Sequence, residues 1–308
     1  MLVAVIDLGT NTFNLLIAEV NKATGEFRKK FKDRISVKLG EGGINKGFIA
    51  EQPFQRGIDA LKEYKAIVDN HQVKEVIAFA TSAIRSASNG ANFISEVYKQ
   101  TGIKVQTISG DREAELIYYG TRLAVNFSDV PSLIMDIGGG STEFIIADRQ
   151  RIYWKQSFLL GAARLLEKFK PENPIKHETV VAMRNYFREE LTPLYLQLEK
   201  HPIRQLVGSS GAFDSFVDMI GWKFGTAMLK TGDTEYLIDL EHYRELHNII
   251  IRSTLEERKQ IKGLIPMRMD MIVISVLFVD FVITEFGITK LSVSTYSLKE
   301  GVIGEIVK

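Results

Sequence analysis

The sequence contains no cysteine, which excludes disulfide bonds and thiolate chemistry and is typical of a reducing cytoplasm, the predicted location. It also lacks net charge, because 39 Lys and Arg residues oppose 38 Asp and Glu residues and leave a formal charge of +1. No overall basic field would therefore attract nucleic acid or an anionic membrane. If the substrate is a polyanion, positive potential must be concentrated at one place.

Histidines and long apolar runs are also scarce. The 5 histidines are scattered without an HExxH pattern, so no zinc site is predicted. The N-terminal apolar run has no basic segment before it and is interrupted by Asp7, so we interpret it as a buried strand rather than a signal peptide. The late apolar run, residues 271–279, is much shorter than the ~20 residues that span a bilayer, and it predicts a core helix.

Two similar segments, residues 2–20 and 132–150, lie about one domain length apart. Each contains an apolar run, an Asp-x-Gly sequence, a loop rich in small hydroxyl residues and a second apolar run. This pattern is typical of a β-hairpin with the Asp at the end of its first strand. The two copies predict a duplicated α/β unit, and 308 residues suffice for two domains, expected at residues 1–125 and 126–308 with the last helix packed back on the first.

Elsewhere strands alternate with helices, which predicts parallel or mixed sheets with helices on their faces. Strands are expected at residues 34–39, 73–79, 104–108 and 205–207. Helices are expected at residues 52–70, 91–101, 111–123, 160–169, 177–200, 212–220, 239–260 and 267–286. The last segment, LSVSTYSLKEGVIGEIV, predicts a strand, a turn and a terminal helix.

The Asp-x-Gly loops, DLGTNT and DIGGGST, are candidate phosphate-binding loops. Glycine lets backbone approach a ligand closely, consecutive N–H groups form anion-binding nests, and hydroxyls add donors. A single such loop is equally well explained as a tight turn, but two copies in one chain favour binding. The candidate residues are Gly9, Thr10, Asn11, Gly138, Gly139, Gly140, Ser141 and Thr142. No GxxxxGK[ST] sequence is present, so this is not a P-loop.

Asp7 and Asp136 lie beside these loops and would repel phosphate if left bare. Mg²⁺ commonly binds one or two carboxylates together with substrate phosphates, so both are candidate ligands. A third loop, formed by Gly208, Ser209, Ser210 and Gly211, gives a weaker signal for an anion at a helix N-terminus.

Arg85 and Glu113 each allow two interpretations. Arg85 follows a strand, where its guanidinium can hold phosphate in a fork, or it can pair with a nearby carboxylate on the surface. Glu113 lies in the first turn of a helix, where a carboxylate either caps the helix or acts as a general base on water.

Five segments in this order resemble the exopolyphosphatase/guanosine pentaphosphatase (Ppx/GppA) family: DLGTNTFNLLI, ATSAIRSASNG, ISGDREAELIYYG, IMDIGGGSTEFII and SFLLGAARLLEKF. VGSSGAF and VSTYSLKEG extend the resemblance to the C-terminus. It implies an α/β fold with two ribonuclease-H-like domains of the actin, Hsp70 and sugar-kinase type and an active-site cleft between them. It also implies the residue roles: Glu113 as catalytic base, residues 9–11 and 138–142 as phosphate loops, Arg85 on substrate, and Asp136, Glu143 and Asp7 at a metal.

Two segments depart from the family pattern. The third glycine loop is Gly208-Ser209-Ser210-Gly211-Ala212, and Lys299 stands where the family has arginine in Leu-Arg-Glu-Gly. Both departures concern the second half of the cleft. The HD-like helical domain of long family members is not expected here.

The resemblance implies a metal-dependent exopolyphosphatase that uses Mg²⁺ or Mn²⁺ and water activated by Glu113. Guanosine pentaphosphate (pppGpp) hydrolysis, a small-molecule kinase or ATPase of the same superfold, and a non-catalytic binding protein for alarmone or polyphosphate are the alternatives. The expected partner is polyphosphate or a phosphorylated guanine nucleotide, with no DNA and no membrane. A homodimer is left open.

Overall fold

The structure, a computed structural model, describes residues 1–230 and 232–307. Two mixed sheets with helices on their faces form the framework. The strands are β1 (Leu2–Leu8), β2 (Thr12–Asn21), β3 (Glu26–Ser36), β4 (Glu75–Ala80), β5 (Val105–Thr107), β6 (Ser132–Ile137), β7 (Thr142–Ala147), β8 (Ile152–Phe158), β9 (Gln205–Ser209), β10 (Glu235–Ile238) and β11 (Lys290–Ser294). Strand order is β3-β2-β1-β4-β5 in the first sheet and β10-β11-β9-β6-β7-β8 in the second.

Helices connect and cover the sheets. They are α1 (Glu51–Asn70), α2 (Ser82–Ser86), α3 (Gly90–Thr101), α4 (Gly110–Ala124), α5 (Ala162–Phe169), α6 (His177–Glu190), α7 (Thr192–Leu198), α8 (Gly211–Phe224), α9 (Leu240–Arg252), α10 (Leu255–Arg258), α11 (Ile272–Glu285) and α12 (Leu298–Ile306). Short 3-10 helices lie at Ile44–Lys46 and Pro266–Arg268. None of the helices within the described residues is long and apolar enough to cross a membrane.

The two predicted hairpins are confirmed. β1 pairs antiparallel with β2, and β6 pairs antiparallel with β7. In the first hairpin Asp7 lies opposite Asn14, and in the second Asp136 lies opposite Glu143. The first strand of each hairpin also has a parallel neighbour, β4 beside β1 and β9 beside β6. The loops that follow these four strands therefore lie at comparable edges of the two sheets.

One apolar cluster joins the two halves of the molecule. It contains Val5 and Leu16 of the first sheet, Ile134 and Val207 of the second, and the buried faces of α4 and α12. The C-terminal helix α12 packs on α4, β1 and β2. Burial of apolar surface stabilises folded proteins by roughly 25 cal/mol per Å². This shared core therefore holds the two sheets around the space between their loops.

Two of the helices expected in the second half are divided, whereas the one expected at residues 212–220 is longer, at Gly211–Phe224. Residues 177–200 form two helices, because Pro193 at the start of α7 removes a backbone donor and restarts the helix. Residues 239–260 are divided where the Thr254 hydroxyl and the Glu257 carboxylate form a capping box at the start of α10. The buried run predicted as a core helix is confirmed in α11.

The strand predictions were wrong at three places. The strand expected at residues 34–39 begins earlier, at Glu26, and ends at Ser36. The strands β8 and β10 were not predicted. β3 and β8 are edge strands with few buried positions, so neither shows the apolar run that identifies a central strand.

Candidate active site

A cavity of about 390 Å³ opens between the two sheets and is called the cleft below. Seven carboxylates from both halves line it: the four predicted acidic residues, Asp7, Glu113, Asp136 and Glu143, together with Asp33, Asp214 and Glu300. Most of the predicted loop residues line it as well, namely Gly9, Thr10, Asn11, Gly138, Gly139, Gly140, Ser141, Ser210 and Gly211. The structure therefore brings the two predicted phosphate loops and the predicted acidic residues to one place.

The two glycine loops touch each other at the floor of the cleft. A Cβ atom added to Gly139 would lie 3.0 Å from Cβ of Thr10 and 3.1 Å from the backbone N of Asn11. One added to Gly140 would lie 2.7 Å from Oγ of Ser82. A side chain at either glycine would push the loops apart, so the contact itself requires glycine at these positions.

Two hydroxyls at this contact have no partner. Thr10 Oγ1 and Ser82 Oγ are buried beside Gly140 and make no hydrogen bond to any of the described residues. Buried polar groups are nearly always hydrogen-bonded, so an unpaired pair in a cleft indicates a place where a ligand supplies acceptors.

The N-terminus of α5 fixes the second loop. The backbone N–H groups of Ala162 and Ala163 donate to the carbonyls of Gly138 and Gly139, each at 2.9 Å. The guanidinium of Arg164 donates to the Gly140 carbonyl at 2.9 Å and to the Ile44 carbonyl at 3.0 Å. Because the loop carbonyls are occupied from behind by α5, the loop is held in one conformation at the cleft.

Of the four predicted acidic residues, each except Glu113 is held by a neutral donor. Asn14 donates to Asp7 at 3.1 Å. Ser297 donates to Asp136 at 2.6 Å, and Ser157 donates to Glu143 at 2.6 Å. Such contacts orient carboxylates without neutralising their charge, so the negative charge stays available to a cation in the cleft.

Glu113 is paired with a cation. It lies in the first turn of α4, whose N-cap Ser109 accepts a hydrogen bond from the Arg112 N–H, so the cap position is already taken. Arg85 Nη1 donates to Glu113 Oε2 at 2.9 Å and to the Ile108 carbonyl at 3.0 Å. Glu113 therefore does not serve as the side-chain cap of its helix.

Burial and mutual repulsion raise the pKa of three of these carboxyl groups. Burial is the main cause at Glu113, where the charge of Glu143 adds to it and Arg85 opposes it, and the pKa rises well above its ordinary value. Burial and the charge of Asp136 raise the pKa of Glu143 to about 7. Burial also raises the pKa of Asp7, although Lys299 opposes it. Like charges that share a cleft in this way favour a bound cation.

The donor set fits a metal bound jointly by protein and substrate. Within residues 1–230 and 232–307 no three acidic or histidine side chains converge closely enough to hold a metal ion by themselves. Asp136 and Glu143 are nevertheless cross-strand neighbours with their charges interacting. Mg²⁺ usually keeps some waters and takes one or two carboxylates plus phosphate oxygens, so this pair suits it without a full protein cage.

Four predicted site residues do not line the cleft. Arg85 faces Glu113 from behind, in the pairing described above. Thr142 begins β7, and its buried hydroxyl donates to the Leu160 carbonyl at 2.9 Å. Gly208 and Ser209 are buried in β9 rather than in a loop, and Phe213 packs over Gly208. Of the third loop, only Ser210 and Gly211 reach the cleft.

The sequence analysis missed Ser297 and Arg268, which line the cleft, and Ser157, which donates to Glu143 from the neighbouring strand. Ser297 opens a capping box with Glu300, and that Ser-x-x-Glu spacing was visible in the sequence. Arg268 packs over Gly211 at the start of α8 and donates to Ser215 at 2.8 Å. Burial lowers its pKa to about 10. No local pattern identifies Arg268, which reaches the cleft through tertiary packing, or Ser157, which reaches Glu143 through the pairing of β7 with β8.

Comparisons with known proteins point to one family. The model of the Ppx/GppA phosphatase family matches residues 16–308. A bifunctional 3-dehydroquinate synthase/phosphatase of Fusobacterium nucleatum is 33% identical over 92% of the chain, which spans only 43% of that protein's length. Exopolyphosphatase 1 of Mycobacterium tuberculosis is 27% identical over 98% of the chain and 87% of its own length.

A solved structure shows the same fold throughout. The crystal structure of an exopolyphosphatase from Cytophaga hutchinsonii is 40% identical, with a TM-score of 0.96 over 100% of this chain and 98% of that one. The predicted α/β fold class and the predicted phosphohydrolase class are thereby confirmed. Sequence and structure agree that the chain belongs to the Ppx/GppA phosphatase family.

Proposed function

We propose that the chain is a divalent-metal-dependent exopolyphosphatase that releases the terminal phosphate of inorganic polyphosphate through water activated by Glu113. The observation that carries the proposal is the convergence of a buried glutamate, two glycine loops and the other three predicted acidic residues on one cleft. Relatives named exopolyphosphatase, at 27% and 40% identity over nearly the whole chain, support the choice of substrate.

The loops bind the terminal phosphates in this proposal. Their backbone N–H groups and the hydroxyls of Thr10 and Ser141 face the cleft, and donors of this kind stabilise phosphate without adding fixed charge. The unpaired hydroxyl of Thr10 is available for such a bond. Positioning and charge stabilisation supply most of the catalysis in phosphoryl transfer, which agrees with a site rich in loops.

Asp136 and Glu143 would hold Mg²⁺ or Mn²⁺, with Asp7 nearby. When bound, the ion would neutralise charge on the phosphates. Ser297 and Ser157 keep the two carboxylate ligands oriented by the hydrogen bonds that they donate. The protein's share of the metal site is thus two carboxylates and the serines behind them.

Glu113 accepts the proton of the attacking water. A general base has to be ionised at the working pH and must lie within reach of its proton donor. Burial disfavours the ionised form of Glu113, and Arg85 favours it. We propose that Arg85 orients Glu113 and keeps it ionised, acting through Glu113 rather than on the phosphate itself.

We also propose a domain boundary between residues 125 and 126. α4 ends at Ala124 and β6 begins at Ser132, so the connection between the sheets lies at this position. α12 then belongs to the second half by sequence while packing against the first.

A substrate panel tests the function. The purified chain is incubated with Mg²⁺ and either polyphosphates of several lengths, pppGpp, or ATP, and phosphate release is measured. We expect the highest kcat/KM on polyphosphate and a strongly reduced phosphate release with the Glu113→Gln variant. Preference for pppGpp would assign the nucleotide instead. Transfer of phosphate from ATP to an acceptor, or tight binding without release, would contradict the proposal.

A further inference from the structure

The cleft extends along one strand that none of the sequence motifs includes. β3 is an edge strand whose residues alternate between the two faces of the first sheet. Lys29, Lys32 and Arg34 lie on one face, opposite Ala18, Leu16 and Asn14 of β2, and all three line the cleft. These three cations are called the β3 stripe.

A β-bulge keeps the stripe on one face. The register of β2 and β3 shifts between Ile17 and Ala18, so Lys30 is left without a partner in the ladder and Lys29 returns to the face of Lys32. Lys30 instead pairs with Glu19 at 2.7 Å. With a rise of ~3.4 Å per residue, Lys32 and Arg34 are about 7 Å apart along the strand.

The stripe begins next to the reacting groups. Arg34 lies opposite Asn14, which lies opposite Asp7 at the end of β1. The next row holds Lys32, Leu16 and Val5, one step farther from the loops. An anionic chain with its end at the loops can therefore meet Arg34 first and Lys32 next.

Two of the stripe's charges are free to bind an anion. Lys29 is taken by Glu300 at 2.6 Å and lies 3.7 Å from the Tyr296 ring centroid. Lys32 and Arg34 are exposed and form no hydrogen bond or ion pair within the part of the chain that the structure describes. The charge of Arg34 opposes the rise that burial causes in the pKa of Asp214 and of Asp218, as does the charge of Arg268.

α12 adds a third free cation from the other side of the cleft. Lys299 lines the cleft, and its charge opposes the raised pKa of Asp7. It makes no ion pair with the residues described in the structure. Seven carboxylates also line this cleft, and Lys29 and Arg268 are paired with acidic groups. Among the described residues, Lys32, Arg34 and Lys299 are therefore the lining cations that remain available to a polyanionic substrate.

We propose that Lys32 and Arg34 form a subsite for the phosphates that follow the terminal ones, so that the affinity for polyphosphate increases with chain length. The proposal rests on the proposed function. Lys and Arg contacts to a polyanion release its counterions, which makes this part of the affinity dependent on salt. The cations of β3 then determine the preference for chain length, while the loops and carboxylates carry out hydrolysis.

The test compares a Lys32→Gln/Arg34→Gln double variant with Arg28→Gln. Arg28 lies on β3 opposite Glu19, on the other face of the sheet, and is a matched control for loss of charge on the same strand. Steady-state kinetics are measured on long polyphosphate and on tripolyphosphate at low and high salt. Melting temperature verifies folding, which both variants should retain because the changed residues are exposed.

For the double variant we expect KM on long polyphosphate to rise tenfold or more at low salt with kcat within a factor of two. KM on tripolyphosphate should rise by a smaller factor. The dependence of KM on salt should become weaker by roughly 0.7 in log–log slope for each contact removed, as for other flexible polyanions. Equal losses on both substrates, or an equal loss in Arg28→Gln, would overturn the subsite.

Calorimetric binding separates this inference from the proposed function. If the wild-type chain releases no phosphate from either substrate, the proposed function fails, and the titration of long polyphosphate and tripolyphosphate into wild type and variants still measures the subsite. A stronger binding of the long chain that disappears only in the double variant supports it. Binding of both lengths that is the same in all three proteins overturns it.

Discussion

The guanidinium of Arg85 and the carboxylate of Glu113 form an ion pair of 2.9 Å behind the cleft. Arg85 follows β4, and Glu113 lies in the first turn of α4, so the pair ties the end of one element to the start of another. The sequence offered separate roles for the two residues. Their contact agrees with the second interpretation of Arg85, pairing with a carboxylate, and Arg85 opposes the rise that burial and Glu143 cause in the pKa of Glu113.

Replacing Glu113 by Gln should lower kcat by a factor on the order of 10²–10⁴, since a positioned general base contributes about that much. Binding should persist because Gln keeps the shape and the hydrogen-bonding ability of the side chain. Phosphate release and calorimetric binding of substrate measure the two effects. The matched control is Glu115→Gln, two residues along the same helix, where the carboxylate pairs with Arg112. A Glu113→Gln variant with wild-type kcat would remove Glu113 from the mechanism.

Replacing Arg85 by Gln should move the acidic limb of the pH profile. Arg85 lowers the pKa of Glu113, so its loss raises that pKa further. A base has to be ionised, so kcat/KM should then need a higher pH to reach its plateau. The profile of kcat/KM against pH measures the shift, and KM measured at the plateau should change little. If the acidic limb of the variant stays at the wild-type pH and its KM rises, Arg85 instead contacts the substrate.

Activity should require a divalent cation and should disappear in a chelator. Asp136→Asn should raise the Mg²⁺ concentration that gives half-maximal activity. Ser297→Ala should raise it by a smaller amount, because outer-shell partners of metal ligands typically contribute 10–100-fold in affinity or activity. Ser253→Ala, a buried serine whose hydroxyl donates to its own helix at Ile250, is the control. Mg²⁺ titrations of the four proteins give the comparison, and identical half-activation values would make Asp136 structural.

The sequence contained enough to predict the hairpins and their loops, because each depends on neighbours close in the chain, whereas the place of Glu113 at the active site came from the family resemblance. Glycine spacing and short apolar runs identify a hairpin wherever it lies. The bond between Ser297 and Asp136 joins residues 161 positions apart, and no local pattern predicts it. The contact between Gly140 and Thr10 likewise depends on how the two sheets pack.

The β3 stripe shows why the cationic residues of the cleft were not predicted from the sequence. Its strand is at an edge, so alternate residues are charged and the apolar residues that remain do not form a run. Edge strands commonly carry lysines, which discourage pairing with other chains, so the composition alone has an ordinary explanation. Only the register with β2 and the bulge at Ile17 show that three of the charges share the face of the cleft.

Glu143 should make the metal-free protein lose stability as the pH rises. Burial and Asp136 raise its folded-state pKa to about 7, whereas an unfolded glutamate titrates near ~4.3. The fold therefore favours the protonated form, and that stability is fully present below about pH 4.3 and is lost as the pH rises to about 7. A shift of this size corresponds to at most about 3–4 kcal/mol.

Glu143→Gln should remove this pH dependence, because Gln keeps the acceptor for Ser157 and cannot ionise. In chelator we expect the variant to be more stable than wild type at pH 8 and close to it at pH 5, as measured by urea unfolding at both values. The exposed Glu178→Gln, at the start of α6, is the control for loss of a charge. Adding Mg²⁺ at pH 8 should reverse the order, since an ion that binds the folded carboxylate stabilises wild type by mass action. Equal stability of variant and wild type in chelator at pH 8 would show that the Glu143 carboxylate carries no burial penalty, and the case for a cation at this position would then rest on activity alone.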